Sequence, residues 1–256
     1  FNRRMPEEIN RLLTDQISEW LYAPTPTAVE NLLREGVSDN RIHLVGDVMY
    51  DATLLFSQLA SQKSRLLSTL GLEPARYVLA TIHREENTDN LARLATIIEA
   101  LEDHASIEPV VLPLHPRTRK RLLEYSLVTA KIRILDPVGY LDMIELERNA
   151  RVIATDSGGV QKEAYFLRVP CITLRDETEW VELVEAGWNR LAPPHSARAL
   201  GEALEDATRG NEEPIAAYGT GTAARSISQS LAASLGISLP SPDERAVCSN
   251  GPSLRV

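Results

Sequence analysis

Arg151-Val152-Ile153-Ala154-Thr155-Asp156-Ser157-Gly158-Gly159-Val160-Gln161-Lys162-Glu163-Ala164 is the stretch that decides the fold. A β-branched run leads into a turn of small polar residues and glycines, and the turn opens an amphipathic helix. Such a turn presents several free backbone N–H groups together with the positive end of the helix dipole, and both favour an anion such as phosphate. Gly158 and Gly159 let the backbone approach that anion closely, and the Ser157 hydroxyl can add a donor. Glu163 lies about one and a half turns into the helix, far enough to reach a sugar hydroxyl beyond the phosphates. The plainer reading is a strand-to-helix turn capped by Asp156 or Ser157, and the motif alone leaves it open. The pattern is neither G-x-G-x-x-G nor a Walker loop, which disfavours a dinucleotide or a nucleoside triphosphate.

Working outward, short apolar runs alternate with longer amphipathic stretches. The strand-like runs are Trp20–Ala23, Ile42–Val45, Tyr77–Ile82, Pro109–Leu114, Ile132–Leu135, Arg151–Ala154 and Cys171–Leu174. Helical spacing fills the gaps, as in Leu91, Leu94, Ile97, Ile98 and Leu101. This alternation predicts right-handed βαβ units and a doubly wound parallel sheet, Rossmann-like and covered on both faces. Thr25 ahead of Pro26, and Thr88-Asp89 ahead of the Leu91 helix, mark helix starts. A change of unit is expected at Gly46–Asp47, because the segment before it is too short to build its own core. The expected organisation is residues 1–46 as the tail end of an amino-terminal Rossmann-like domain and 47–220 as an intact one. A helix over 221–237 and a Pro-, Ser- and Gly-rich disordered tail over 238–256 complete it.

Bulk properties narrow the function. The chain has 256 residues, 43 % of them apolar, and a formal charge of −9. It has no run near the roughly 20 apolar residues of a membrane span and no secretory leader. Its acidity argues against a general nucleic-acid binder, which needs a basic face. Cys171 and Cys248 are too few for a disulfide framework or a four-ligand zinc site, so no metal is expected and a reducing, cytoplasmic setting is. The chain opens at Phe1 rather than Met, in a charged helical segment, so an amino-terminal part is expected to be missing.

Three further segments carry chemistry. Thr81-Ile82-His83-Arg84-Glu85-Glu86-Asn87 closes a strand, where open α/β sheets bind ligands. His83 and Arg84 there can address a diphosphate, and His83 can move a proton near neutral pH. The alternative is a solvated, charged helix entry. Leu174-Arg175-Asp176-Glu177-Thr178-Glu179-Trp180 also follows a strand; Arg175 suits an anion clamp, or else a structural salt-bridge cluster. Met5-Pro6-Glu7-Glu8-Ile9-Asn10-Arg11 reads by itself as a helix start with acids in its first turn. His115, in Pro113-Leu114-His115-Pro116, ends another strand and is a secondary candidate.

In this order the segments resemble the non-hydrolysing UDP-N-acetylglucosamine 2-epimerase family, from Asn2 to about Leu235. Asn2–Arg11 is similar to its Pro-Glu-Glu-x-Asn-Arg segment, Pro24–Glu35 to its Pro-Thr-x-x-Ala-x-x-Asn-Leu-x-x-Glu stretch, and Gly46-Asp47-Val48 to its interdomain crossover. His83–Asn87 resembles its His-Arg-x-Glu-Asn loop, and Asp156–Glu163 its Asp-Ser-Gly-Gly-x-Gln-x-Glu signature. Arg175–Glu179 resembles its Arg-Asp-x-Thr-Glu loop, and Tyr218-Gly219-x-Gly221 a Tyr-Gly-x-Gly near its end. The resemblance implies a two-domain GT-B-like fold and interconversion of UDP-GlcNAc and UDP-ManNAc by elimination and re-addition of UDP. It implies a UDP-sugar as partner, no cofactor, a homodimer, and a cytoplasmic role in polysaccharide synthesis. Carried over by position, Ser157, Gly158 and Gly159 would hold the diphosphate and Glu163 the ribose. Arg84 and Arg175 would belong to the UDP site, Tyr140 or Met143 would lie near the uracil, and His83 would assist departure of UDP. Glu7 would face the sugar as a proton-transferring carboxylate.

Two departures qualify the match. The family's amino-terminal strand and loop have no counterpart, so the chain as given is expected to bind UDP weakly and not to catalyse efficiently. Trp180 stands where the best-known members have Arg-Pro, and the Thr-Glu-Trp form also resembles relatives acting on UDP-2,3-diacetamido-glucuronic acid. A GT-B glycosyltransferase is the rival class, but it would lack the joint His83 and Glu7 motifs. A non-catalytic nucleotide-sugar sensor is the other.

Overall fold

Apolar residues two apart on a strand point the same way, so a strand apolar at every position must be covered on both faces. The computed structural model of the chain describes residues 6–207 and 216–238, without the side chains of 6, 7 and 216. In chain order the elements are α1 (Pro6–Ile17), β1 (Leu21–Ala23), α2 (Pro26–Arg34), β2 (Ile42–Leu44), α3 (Val48–Lys63) and α4 (Leu66–Leu70). Then come β3 (Val78–Thr81), α5 (Glu85–Thr88), α6 (Leu91–His104), β4 (Val110–Pro113), α7 (Pro116–Glu124) and β5 (Arg133–Leu135). The chain continues through α8 (Tyr140–Asn149), β6 (Val152–Thr155), α9 (Gly158–Phe166), β7 (Cys171–Thr173) and α10 (Val181–Glu185). It ends in β8 (Asn189–Leu191), α11 (Ala197–Glu205) and α12 (Ala223–Ser234). The side chain of Glu7 and the tail expected beyond residue 238 lie outside the described residues.

The chain divides into two units, one drawn from Phe1–Asp51 with Ala217–Val256 and the other from Ala52–Ala216. The second holds a six-stranded sheet in the order β5-β4-β3-β6-β7-β8, parallel throughout. That is the doubly wound α/β order expected from the sequence, with the direction of winding reversing between β3 and β6. Val78, Ala80, Val110, Leu112, Val152 and Ala154 face a layer that includes Leu94, Ile97, Leu101, Leu200 and Leu204. Tyr77, Leu79, Val111, Ile153 and Cys171 face the opposite layer, with Leu146 and Ala164. β8 was not expected. Asn-Arg-Leu lacks an apolar run because it is an edge strand, paired on one side only, with β7.

Thr25 caps α2 as expected, its Oγ1 accepting from Ala28 N at 3.1 Å. The cap of α6 is Asn90, whose side chain accepts from Arg93 N, rather than the preceding Asp89. Asp89 instead takes Arg117 and Arg121, which hold its carboxyl below the ordinary range.

In the first unit, β1 and β2 pair in parallel beside a small core of Leu21, Ala23, Leu32 and Val37. Residues 46–51 and 218–224, far apart in sequence, are joined here. The Asp51 carboxylate caps α12, accepting from Ala223 N at 3.1 Å and Ala224 N at 2.8 Å. Asp47 N donates to Tyr218 O at 3.0 Å. Gly46, at φ +88°, lies against Gly219: a Cβ on Gly46 would sit 2.9 Å from Tyr218 O and 3.2 Å from Gly219 Cα. Backbone cannot yield as a side chain can. Gly46→Ala is therefore expected to destabilise this unit by at least about 1–2 kcal/mol, the cost of a left-handed residue alone. Thermal or urea unfolding measures it.

Candidate functional site

The site grows from the point where β3 and β6 lie side by side and the winding reverses. Thr81 stands opposite Thr155, their hydroxyls 2.6 Å apart, and Thr155 Oγ1 also accepts from Ser157 N at 2.9 Å. Between them Asp156 is completely buried. Its carboxylate accepts from His83 N at 3.1 Å, Arg84 N at 3.1 Å and Asn87 Nδ2 at 3.1 Å. His83 Nδ1 lies 3.2 Å from Asp156 Oδ1. Burial works to raise the Asp156 carboxyl, but the His83 and Asn87 bonds outweigh it and hold the group below the usual carboxylate range. A carboxylate only accepts, so the proton of a neutral His83 ring sits on Nδ1 and Nε2 keeps its lone pair. Asp156 thus sets the tautomer of His83 and ties the Thr81–Asn87 loop to the start of α9.

At that start the capping is incomplete in a useful way. The Ser157 side chain accepts from Val160 N at 3.4 Å, and Ser157 O takes Gln161 N. Among the described residues no acceptor meets the amides of Gly158 and Gly159. Two donors at the positive end of a helix, next to a serine hydroxyl, can bind a diphosphate. Ser157 borders a cleft of about 280 Å³ lined also by Thr81, Ile82, His83, Pro113, His115 and Val160. The His83 and His115 rings are 6.3 Å apart. His115 also caps α7, its Nδ1 accepting from Arg117 N at 3.2 Å.

The Arg175–Trp180 loop packs over the same helix start. Trp180 Nε1 donates to Gly158 O at 2.8 Å, and Lys162 Nζ stands 4.4 Å from the centre of its ring. Thr178 Oγ1 donates to Gln161 Oε1 at 2.6 Å, and Asn189 Nδ2 donates to the same oxygen. Arg175 is buried between Glu179, at 2.8 Å, and Glu86, at 3.2 Å. Burial opposes its charge, yet the two carboxylates prevail and strengthen it. Arg175 here forms the salt-bridge cluster rather than an open anion clamp. Arg84 is the nearer cation to the amides: its Nη2 lies 3.7 Å from where a Gly158 Cβ would stand.

Further along α9, about 7 Å beyond Gly158 by helical rise, is Glu163. Tyr140, the first residue of α8, donates to Glu163 Oε1 at 2.9 Å, and burial first, then the Glu163 charge, pushes the phenol upward. Phe56 meets the Tyr140 ring edge-on at 5.2 Å. Met143 packs against the core, partly buried.

The fold thus brings His83, His115 and Ser157 to one strand-end cleft, with Arg84 beside Gly158, Arg175 held by Glu86 and Glu179, and Tyr140 bonded to Glu163. The sequence reading offered Asp156 only as a helix cap and gave Gln161, Thr178 and Asn189 no specific role. Their signal was weak, since short polar residues after strands pass for caps and turns. Among the described residues no group of His, Cys, Asp or Glu is placed to hold a metal ion, and no helix is long and apolar enough to cross a membrane.

Comparison with known proteins bears on the family and the fold. The family described as UDP-N-acetylglucosamine 2-epimerase matches residues 1–232. A UDP-N-acetylglucosamine 2-epimerase homolog of Methanococcus maripaludis is 50 % identical over 206 residues, which is 78 % of this chain and 57 % of that protein. The UDP-2,3-diacetamido-2,3-dideoxy-D-glucuronate 2-epimerase of Pseudomonas aeruginosa is 46 % identical over 242 residues, 91 % of this chain and 65 % of that one. The crystal structure of Methanocaldococcus jannaschii UDP-GlcNAc 2-epimerase in complex with UDP-GlcNAc and UDP superposes with a TM-score of 0.79 at 42 % identity. It covers 90 % of this chain and 66 % of that one, so the chain spans about three fifths of the length of these relatives. Such neighbours carry the α/β, GT-B-like reading of the fold. With a family match reaching across both units, the chain belongs to the UDP-N-acetylglucosamine 2-epimerase family.

Proposed function

We propose that this chain is the UDP-binding part of a non-hydrolysing 2-epimerase that interconverts UDP-GlcNAc and UDP-ManNAc. The observation that carries the reading is the pair of open amides at Gly158 and Gly159 beside a His83 ring anchored by Asp156. In this reading the diphosphate lies on the Gly158 and Gly159 amides and the Ser157 hydroxyl, with Arg84 adding charge. Glu163, assisted by Tyr140, accepts hydrogen bonds from the ribose hydroxyls, and Met143 flanks the base. His83, as an imidazolium whose Nδ1–H is held by Asp156, donates from Nε2 to the phosphate as the C1–O bond breaks. A carboxylate, assigned by resemblance to Glu7, takes the C2 proton, leaving 2-acetamidoglucal and UDP. Re-addition with a proton delivered to the opposite face inverts C2. No electrons leave the system, so no redox cofactor is required. A cytoplasmic homodimer supplying polysaccharide synthesis is part of the same proposal.

A second reading has its own support: epimerisation of UDP-2,3-diacetamido-2,3-dideoxyglucuronic acid. The Lys162–Trp180 stack over the helix start, and the 91 % coverage by the Pseudomonas relative, favour it. One experiment separates the two. The full encoded protein is incubated with each UDP-sugar in deuterated water, and C2 is followed by proton NMR. The expected result is deuterium incorporation with appearance of the manno isomer from UDP-GlcNAc. Inversion of the uronic acid alone would establish the second reading. UDP release without inversion from either sugar would overturn both.

A further inference from the structure

α6 and α11 pack side by side on one face of the six-stranded sheet. Between them opens a cleft of about 340 Å³ that takes in Glu99, Asp103 and His104 from α6 and Gly201, Glu202 and Glu205 from α11. His104 ends α6 and stands 3.4 Å from Arg151, the residue that leads into β6. This cleft therefore lies at the amino ends of the strands, whereas the His83 cleft lies at their carboxyl ends.

The rim is acidic and the floor holds an unused acceptor. Arg198 pairs with Glu202 at 2.8 Å. The exposed carboxylates of Glu99, Asp103 and Glu205 have no ion-pair partner among the described residues. His104 is 2 % exposed, and its Nε2 lies 2.8 Å from Glu108 Oε1. Burial works to raise the Glu108 carboxyl, but bonds from Arg151 and His104 hold it below the ordinary range. An ionised carboxylate only accepts, so the proton of a neutral His104 ring sits on Nε2. Nδ1 keeps its lone pair, buried and with no partner among the described residues. A buried acceptor left unmet is costly, and a donor that met it would recover that cost.

Gly201 is an independent sign of a kept opening. It is the fifth of the nine residues of α11, a place where glycine is a poor helix former. Its backbone is not left-handed, and a Cβ there would meet nothing within 4 Å. Neither conformation nor close packing calls for glycine here. The missing side chain leaves the cleft open.

Among the described residues no group of His, Cys, Asp or Glu is placed to hold a metal ion, so a bare cation is a poor fit. An ammonium brings three donors and no acceptor, which suits an unmet lone pair among carboxylates. Acids on both helices call for charge at several points along one flexible molecule. Methylene groups between those charges can lie on Ala100 and Ile107. We propose that the cleft between α6 and α11 binds a linear polyamine, one ammonium donating to His104 Nδ1 and the others pairing with the acids of the rim. The site is separate from the nucleotide cleft and does not depend on the 2-epimerase reading.

Titration of the 256-residue chain with spermidine, by calorimetry and by nitrogen-15 NMR of labelled histidine, tests it. The expected result is saturable one-to-one binding that shifts one unprotonated ring nitrogen among the five histidines. Gly201→Leu fills the cleft on a helix that it strengthens, so binding and shift should both vanish while Tm holds or rises. Asp103→Asn combined with Glu205→Gln should weaken binding about tenfold, the scale of two exposed ion pairs. That double variant alters only exposed side chains, so it decides the matter even if Gly201→Leu fails to fold. Four results would each overturn the proposal: no saturable binding, binding that survives Gly201→Leu, binding undiminished in the double variant, or binding that moves no histidine nitrogen. Displacement of spermidine by an equal concentration of magnesium would do the same, by revealing a diffuse attraction to an acidic surface.

Discussion

Asp156→Asn should unfold at markedly lower denaturant concentration, with a loss of about 3 kcal/mol, the scale of a buried charge network deprived of its anion. The carboxylate has no exposed surface and gathers two backbone amides, the Asn87 amide and the His83 ring. An asparagine keeps one acceptor and turns its NH2 toward groups that are themselves donors. The same change frees the His83 tautomer and unties the Thr81–Asn87 loop from α9, so UDP binding should weaken with it. The pH signature has a definite sign. Asp156 is held below its unfolded value, so its contribution is present above about pH 4 and lost as pH falls through the lower folded value. The unmutated chain should therefore lose its advantage over Asp156→Asn in acid. Chemical denaturation at pH 7 and pH 3 measures this, and equal midpoints at pH 7 would remove Asp156 from its place at the centre of the site.

Substitution at Gly158 should separate stability from binding. This glycine has an ordinary backbone conformation, and a Cβ would make only ordinary contacts, 3.6 Å to Trp180 Nε1 and 3.7 Å to Arg84 Nη2. Alanine is thus expected to leave the fold intact or to strengthen α9 slightly, since glycine is the weaker helix former. A leucine carries its bulk over the open amides. It is expected to cost about 1–3 kcal/mol of UDP affinity, roughly 5- to 150-fold, with little change in Tm. Calorimetric titration of the Gly158→Ala and Gly158→Leu chains with UDP reads the series. Undiminished affinity in Gly158→Leu would place the diphosphate elsewhere.

What could be read from the sequence follows from where the physical signal is local. Val152 and Ile153, then Ser157-Gly158-Gly159, announce strand, turn and helix within a few residues, and that alternation predicts the sheet. Thr25 before Pro26 marks a cap equally well. By contrast β8 is held by its neighbour: Asn189 is fixed by Thr173 and Gln161, residues distant in sequence. Asp156 illustrates the same limit within the site. Its residue type after a strand reads as a cap, while its actual partners come from a different strand's loop. Arg175 could be read as clamp or as salt bridge, and only the positions of Glu86 and Glu179 decide for the second. Glu147 looks like one more solvated helix acid until packing removes it from water.

The cap that Asp51 places on α12 bears on how the chain is made. Residues 52–216 are contiguous and can begin to condense while synthesis continues. The other unit has to wait, because its closing helix follows some 170 residues after the carboxylate that receives it. Until Ala223 and Ala224 leave the ribosome, Asp51 has no amides to hold and Gly46 has no Gly219 to rest against. The order of assembly is thus written into the route of the polypeptide, with residues made before the larger unit waiting for partners made after it.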